Sequence, residues 1–136
     1  MQIPARIPGL RWLTIVWGVY AAIWISLEGD LRQVVALGVC TMLVGLGHGM
    51  QRRWAGRPFP APGWLARMAA TGLLLGAGSS ILTLFFMALK TGLHAHGPEF
   101  TADELAWVMR QLPLWAGVGG MTGLGLGLLS LAMVGD

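Results

Sequence analysis

Few side chains in this sequence can carry chemistry, and they gather in one stretch. His94, His96 and Glu99 lie within "LHAHGPEF". Two imidazoles and a carboxylate so spaced can converge on one cation, and a mixed nitrogen and oxygen set suits zinc or another first-row metal. Glu28 and Asp30, in an earlier polar link, would add oxygen ligands, and with Arg32 they make a second polar cluster. The spacing matches neither a zincin nor a zinc finger. The competing expectation is a polar loop whose histidines bond water, lipid or backbone.

The third histidine, His48, sits in "GLGHGM" within an apolar run. Flanking Gly47 and Gly49 leave room for a porphyrin or chlorin ring, which makes His48 a candidate cofactor ligand. The simpler role is a hydrogen bond to a partner helix. No other histidine falls inside an apolar run, so a two-histidine haem across facing helices has no support within the chain. No catalytic residues emerge either. Cys40 and His48 lack a third member, and no Ser-His-Asp grouping can be drawn. "TGLGLGLL" and "GAGSS" resemble nucleotide loops, but neither has the Lys-Ser/Thr ending of a P-loop nor the strand–turn–helix setting of a dinucleotide site. The identity of any cofactor is left open.

These residues are embedded in an apolar chain. Hydrophobic residues make up 55 % of the 136 positions and charged residues 11 %, and mean hydropathy is +0.66. A soluble domain carries about 25 % charged residues, and a small one has proportionally more surface to cover. The bilayer is therefore the natural solvent. The net charge of +3 does not point to nucleic acid, because the basic residues flank apolar runs rather than forming a patch. The lone Cys40 reads as a small buried hydrophobe.

Four runs approach the roughly 20 residues a membrane-crossing helix needs. They are Leu10 to Leu27, Val34 to Met50, Met68 to Leu89 and Leu112 to Val134. The first reads as an uncleaved span, since no small-x-small cleavage site follows it. "EGD" at 28–30 makes a tight turn, and "RPFPAPG" is expected to interrupt helix. Thr101 followed by Glu104 forms a capping box, so "TADELAWVMRQL" reads as a short amphipathic surface helix over 101–111. The expected fold is all-α: one domain over residues 1–136, an integral membrane bundle of four transmembrane helices with that surface helix between the third and fourth.

Arg6, Arg11, Arg52, Arg53, Arg57 and Arg67 fall on one side of such a bundle. Arg32, Lys90 and Arg110 fall on the other, with five acids. The positive-inside rule then places both termini in the cytoplasm and the His-bearing loop outside, as in a bacterial inner membrane. Lys90 is expected to snorkel to the outer interface. Trp12, Trp54 and Trp64 are expected at one rim and Trp24, Trp107 and Trp115 at the other. Trp17 falls mid-span.

Glycines recur four apart: Gly119, Gly123 and Gly127; Gly72 and Gly76, then Ser80; Gly45 and Gly49; and Gly18, then Ala22 and Ser26. Residues four apart share a helix face, and small ones let helix backbones approach in a membrane. Each span thus carries a packing seam, against its neighbours or a partner. "RQVVALGVCTMLVGLGHG" from Arg32 also lies over "RQLPLWAGVGGMTGLGLG" from Arg110, a faint repeat of the sort transporters contain. The seams favour an accessory or scaffold subunit of a larger membrane complex, in contact with lipid, other subunits or itself. A small homo-oligomeric channel or transporter is the alternative. A histidine-based metal, haem or pigment protein is the second alternative.

Overall fold

A computed structural model of the chain describes residues 6–26, 30–93 and 99–133. Four helices run in sequence: α1 Leu10–Ser26, α2 Leu31–Trp54, α3 Ala61–Leu93 and α4 Ala102–Ala132. No β-strand occurs among the described residues. α2, α3 and α4 are each long and apolar enough to cross a bilayer, which is the character of a multi-pass membrane protein. α1 has 17 residues, about 25 Å of helix against a hydrocarbon core of about 30 Å.

The helices outrun the apolar segments that announce them. Asp30 caps α2, accepting from the Arg32 backbone N–H at 3.3 Å, so helix begins before Val34. α3 starts at Ala61, with Pro62 and Gly63 in its first turn. Proline is tolerated there because the first N–H groups of a helix have no intrahelical partner. α4 begins at the expected capping box: the Thr101 Oγ1 accepts from the Glu104 N–H at 3.2 Å, and the Glu104 carboxylate accepts from the Thr101 N–H at 2.8 Å. From there α4 continues unbroken through Pro113. The 101–111 segment is thus the opening turns of α4 and not a separate helix.

The substantial helix interfaces are sequential, α1 with α2, α2 with α3, and α3 with α4. They use different chemistry. Between α3 and α4, glycine meets backbone. A methyl group on Gly72 would overlap the Gly119 carbonyl, one on Gly119 would overlap the Gly72 carbonyl, and one on Gly123 would overlap the Met68 carbonyl. Gly76 is closed in the same way by the Trp115 carbonyl, and Gly127 lies against Leu65 and Met68. Between α2 and α3 the close point is Gly38, against Ser79 and Thr83, with the Met42 side chain seated over Gly78. Between α1 and α2 the joints are polar. Thr14 meets His48, the Trp17 indole donates to Thr41 Oγ1 at 2.9 Å, and the Tyr20 hydroxyl donates to the Gln33 carbonyl at 3.1 Å.

The hydrophobic core sits toward one end, where Trp24, Val34, Leu37, Met87, Phe100 and Val108 pack together from all four helices and the link before α4. Elsewhere the surface is strongly apolar, with Trp12, Val16, Leu114, Met121 and Leu129 among its exposed side chains. Such a surface suits lipid or protein contact far better than water.

Candidate functional site

The core end contains the chain's only lysine, and it is turned inward. Lys90 continues the buried stripe of α3 formed by Ser80, Thr83 and Met87, and it is 1 % exposed. Its Nζ donates to the Trp24 carbonyl at 3.0 Å, lies 4.4 Å from the centre of the Trp24 ring, and stands 3.7 Å from Glu99 Oε2. Each contact offsets part of the desolvation of a buried charge. Trp24 is in the last turn of α1, where carbonyls lack helical partners and the helix dipole favours a cation. The indole face supplies a cation–π contact, and the Glu99 side chain, 10 % exposed, supplies the counter-charge.

One expectation is corrected here. Lys90 does not snorkel, because the Trp24 carbonyl, the Trp24 ring and Glu99 give its ammonium better partners inside the core than the rim would. Trp24, in the last turn of α1, is turned into the bundle: it is 1 % exposed, packed edge-on against Phe86. Together the contacts clamp α1, α3 and the link into α4 at one end. An amine so engaged is a fastener and not an available nucleophile.

Of the proposed metal set, Glu99 and Asp30 fall among the described residues, and Glu99 faces Lys90. His94, His96 and Glu28 lie outside them. Among the described residues no three His, Cys, Asp or Glu side chains group as metal ligands. Asp30 is occupied as the α2 cap, and Arg32 supplies the N–H it accepts.

His48 is a joint between helices. Its Nε2 is 2.9 Å from Thr14 Oγ1, and that hydroxyl also bonds the Leu10 carbonyl at 2.8 Å. The threonine has one hydroxyl proton, given to Leu10, so the imidazole is the donor and carries its proton on Nε2. Metal ligation through Nε2 would require this joint to open.

The other end collects the arginines. The Arg67 guanidinium donates to the Gly63 carbonyl at 2.9 Å and lies 4.4 Å from the centre of the Phe59 ring. Phe59 stacks on Trp64, whose indole donates to Ser130 Oγ at 2.7 Å. The α2–α3 link is thus pinned to the last turn of α4. Beside it, α2 and α3 part around a cavity of about 610 Å³ lined by Gly45, His48, Gly49, Arg52, Arg53 and Thr71, among others. A second, apolar groove of about 530 Å³ runs along α3 and α4 past Gly72, Leu75, Gly76, Val118 and Gly119, with Val39 of α2 at its edge. Thr71 lines both.

The seam glycines divide into two sets. Gly72, Gly76, Gly119, Gly123 and Gly127 are engaged between α3 and α4. A methyl on Gly18, Gly45 or Gly49 would meet nothing. Sequence reasoning passed over Gly38, Gly47 and Gly78, which do touch a neighbouring helix. Gly38 lies one heptad before Gly45, and that spacing was the available signal. Comparison with family models, curated proteins and solved structures finds no significant match to this chain.

Proposed function

We propose that this chain is a small scaffold subunit of a larger integral-membrane assembly, held there by helix faces it does not use internally. The observation that carries this reading is the open α1 face. Gly18 has space where Gly72 and Gly119 have backbone, and Ala22 and Ser26 on the same face are exposed. A small-residue face in a membrane gains stability only against another helix. The polar side chains support the same reading, since Lys90, Glu99, His48, Thr14 and Trp64 are engaged in holding helices together. In this reading α1 completes a fourth span, both termini lie in the cytoplasm of a bacterial inner membrane, and the clamp faces outward, following the arginine bias.

Native mass spectrometry after mild detergent extraction tests it. Co-purification of other membrane chains in fixed ratio, lost when Gly18→Leu fills the α1 face, is the expected result. A lone monomer would overturn it. A second reading, a small carrier, has one specific support: the core end is closed by the Lys90 clamp while the arginine-rich end is open. A symmetric oligomer that moves a solute across liposomes would favour that reading instead.

A further inference from the structure

We infer that the arginine-rich end binds one anionic phospholipid from the bilayer, its headgroup at Arg52 and Arg53 and one acyl chain in the groove along α3 and α4. The charge argument comes first. Arg52 and Arg53 are exposed, line the cavity, and join no ion pair among the described residues. No acidic residue occurs between Asp30 and Glu99, so neither α2 nor α3 offers these guanidinium groups a carboxylate. Their neighbour Arg67 is already satisfied by the Gly63 carbonyl and the Phe59 ring. Among the described residues no carboxylate meets these two groups, and arginine pairs well with phosphate.

The shape argument is independent. The groove follows α3 from Met68 to Ser79, about 16 Å at the rise of an α-helix. One leaflet of the hydrocarbon core is about 15 Å deep. The lining is almost wholly apolar, with Leu75, Leu114 and Val118 beside the glycine backbone, which suits an alkyl chain. Thr71 borders both the cationic cavity and the groove, so a molecule with an anionic head and an alkyl tail can occupy both. The inference requires only that α2 to α4 stand in a bilayer, and does not depend on the scaffold reading.

The test is native mass spectrometry of the full chain in detergent, titrated with phosphatidylglycerol or with phosphatidylcholine of the same acyl chains. One phosphatidylglycerol should be retained about thirtyfold more tightly than phosphatidylcholine, at roughly fivefold for each basic residue near a headgroup. R52Q with R53Q should abolish that preference, while R57Q, which alters an arginine outside the cavity, should keep it. V118W, which fills the groove from an exposed position, should weaken retention without changing the helical circular dichroism. Equal retention of the two lipids overturns the inference. So does an R57Q loss as large as that of R52Q with R53Q, retention undisturbed by V118W, or a lipid-free dimer with the groove covered by a second copy.

Discussion

Replacing Lys90 by methionine keeps an unbranched stem of similar length in the core and removes only the charged head. The lost contacts include the 3.0 Å bond to the Trp24 carbonyl, the cation over the Trp24 ring and the charge 3.7 Å from Glu99. At an effective dielectric near 20 the last is worth about 4 kcal/mol before desolvation. Much of that is offset by the cost of burying both charges, so the pair is not a large net source of stability. The larger effect of Lys90→Met is what it leaves behind, a mostly buried Glu99 carboxylate that has lost the Lys90 charge. Breaking such a pair destabilises by about 3–5 kcal/mol. Glu99→Gln should be milder, because Lys90 keeps the Trp24 carbonyl and ring. The double variant should be less destabilised than the sum of the two, by about 1–3 kcal/mol. Reversible unfolding in mixed detergent micelles, followed by tryptophan fluorescence, measures all three. A Lys90→Met effect within about 0.5 kcal/mol of zero, as for an ordinary surface position, would refute the clamp. Strict additivity of the two substitutions would refute the coupling.

Because Lys90 is the only lysine, a water-soluble amine acylating reagent should leave its peptide unmodified in the folded protein and modify it after denaturation, as read by peptide mass spectrometry. Labelling at equal rates in both states would mean the side chain reaches the rim. Gly119→Ala should destabilise the α3–α4 pair by about 1–3 kcal/mol through overpacking against the Gly72 carbonyl, whereas Gly117→Ala, two residues away and facing open space, should be neutral or mildly stabilising in the same unfolding assay. Thr14→Val and His48→Phe should each weaken the α1–α2 joint by about 0.6 kcal/mol, the average for hydrogen bonds between membrane helices, and the two should be non-additive. Additive losses would show that the two side chains do not bond each other.

Hydropathy located the helices because twenty apolar residues have few other places to go, and the Thr101–Glu104 box marked the start of α4 because capping is local chemistry. The helix ends were less legible. α2 to α4 continue past their apolar runs into polar turns, where hydropathy falls but hydrogen bonding persists. Pro62 reads as part of an interruption, yet it stands in the first turn of α3, and α4 runs on through Pro113. The clamp was hidden for a different reason. Lys90 and Trp24 each fit a rim position when considered singly. Only the packing of α1 against α3 brings the last-turn carbonyl of one helix to the amine of the other, across 66 residues of sequence.

The faint repeat makes the same point about the glycine seams. Under its alignment Gly45 and Gly49 correspond to Gly123 and Gly127, with identical spacing and direction. Gly123 and Gly127 are pressed against α3, while Gly45 and Gly49 border a cavity between α2 and α3. Spacing defines which residues share a helix face, but the neighbour that fills the face is set by how the other helices cross. α2 meets α3 closely at Gly38 and then parts from it, so Gly45 and Gly49 open rather than close. Identical seams therefore have unequal meanings. The closed ones hold this chain together, and the open ones, on α1 and at the arginine-rich end of α2, are where outside contacts with a partner helix or a lipid have room to form.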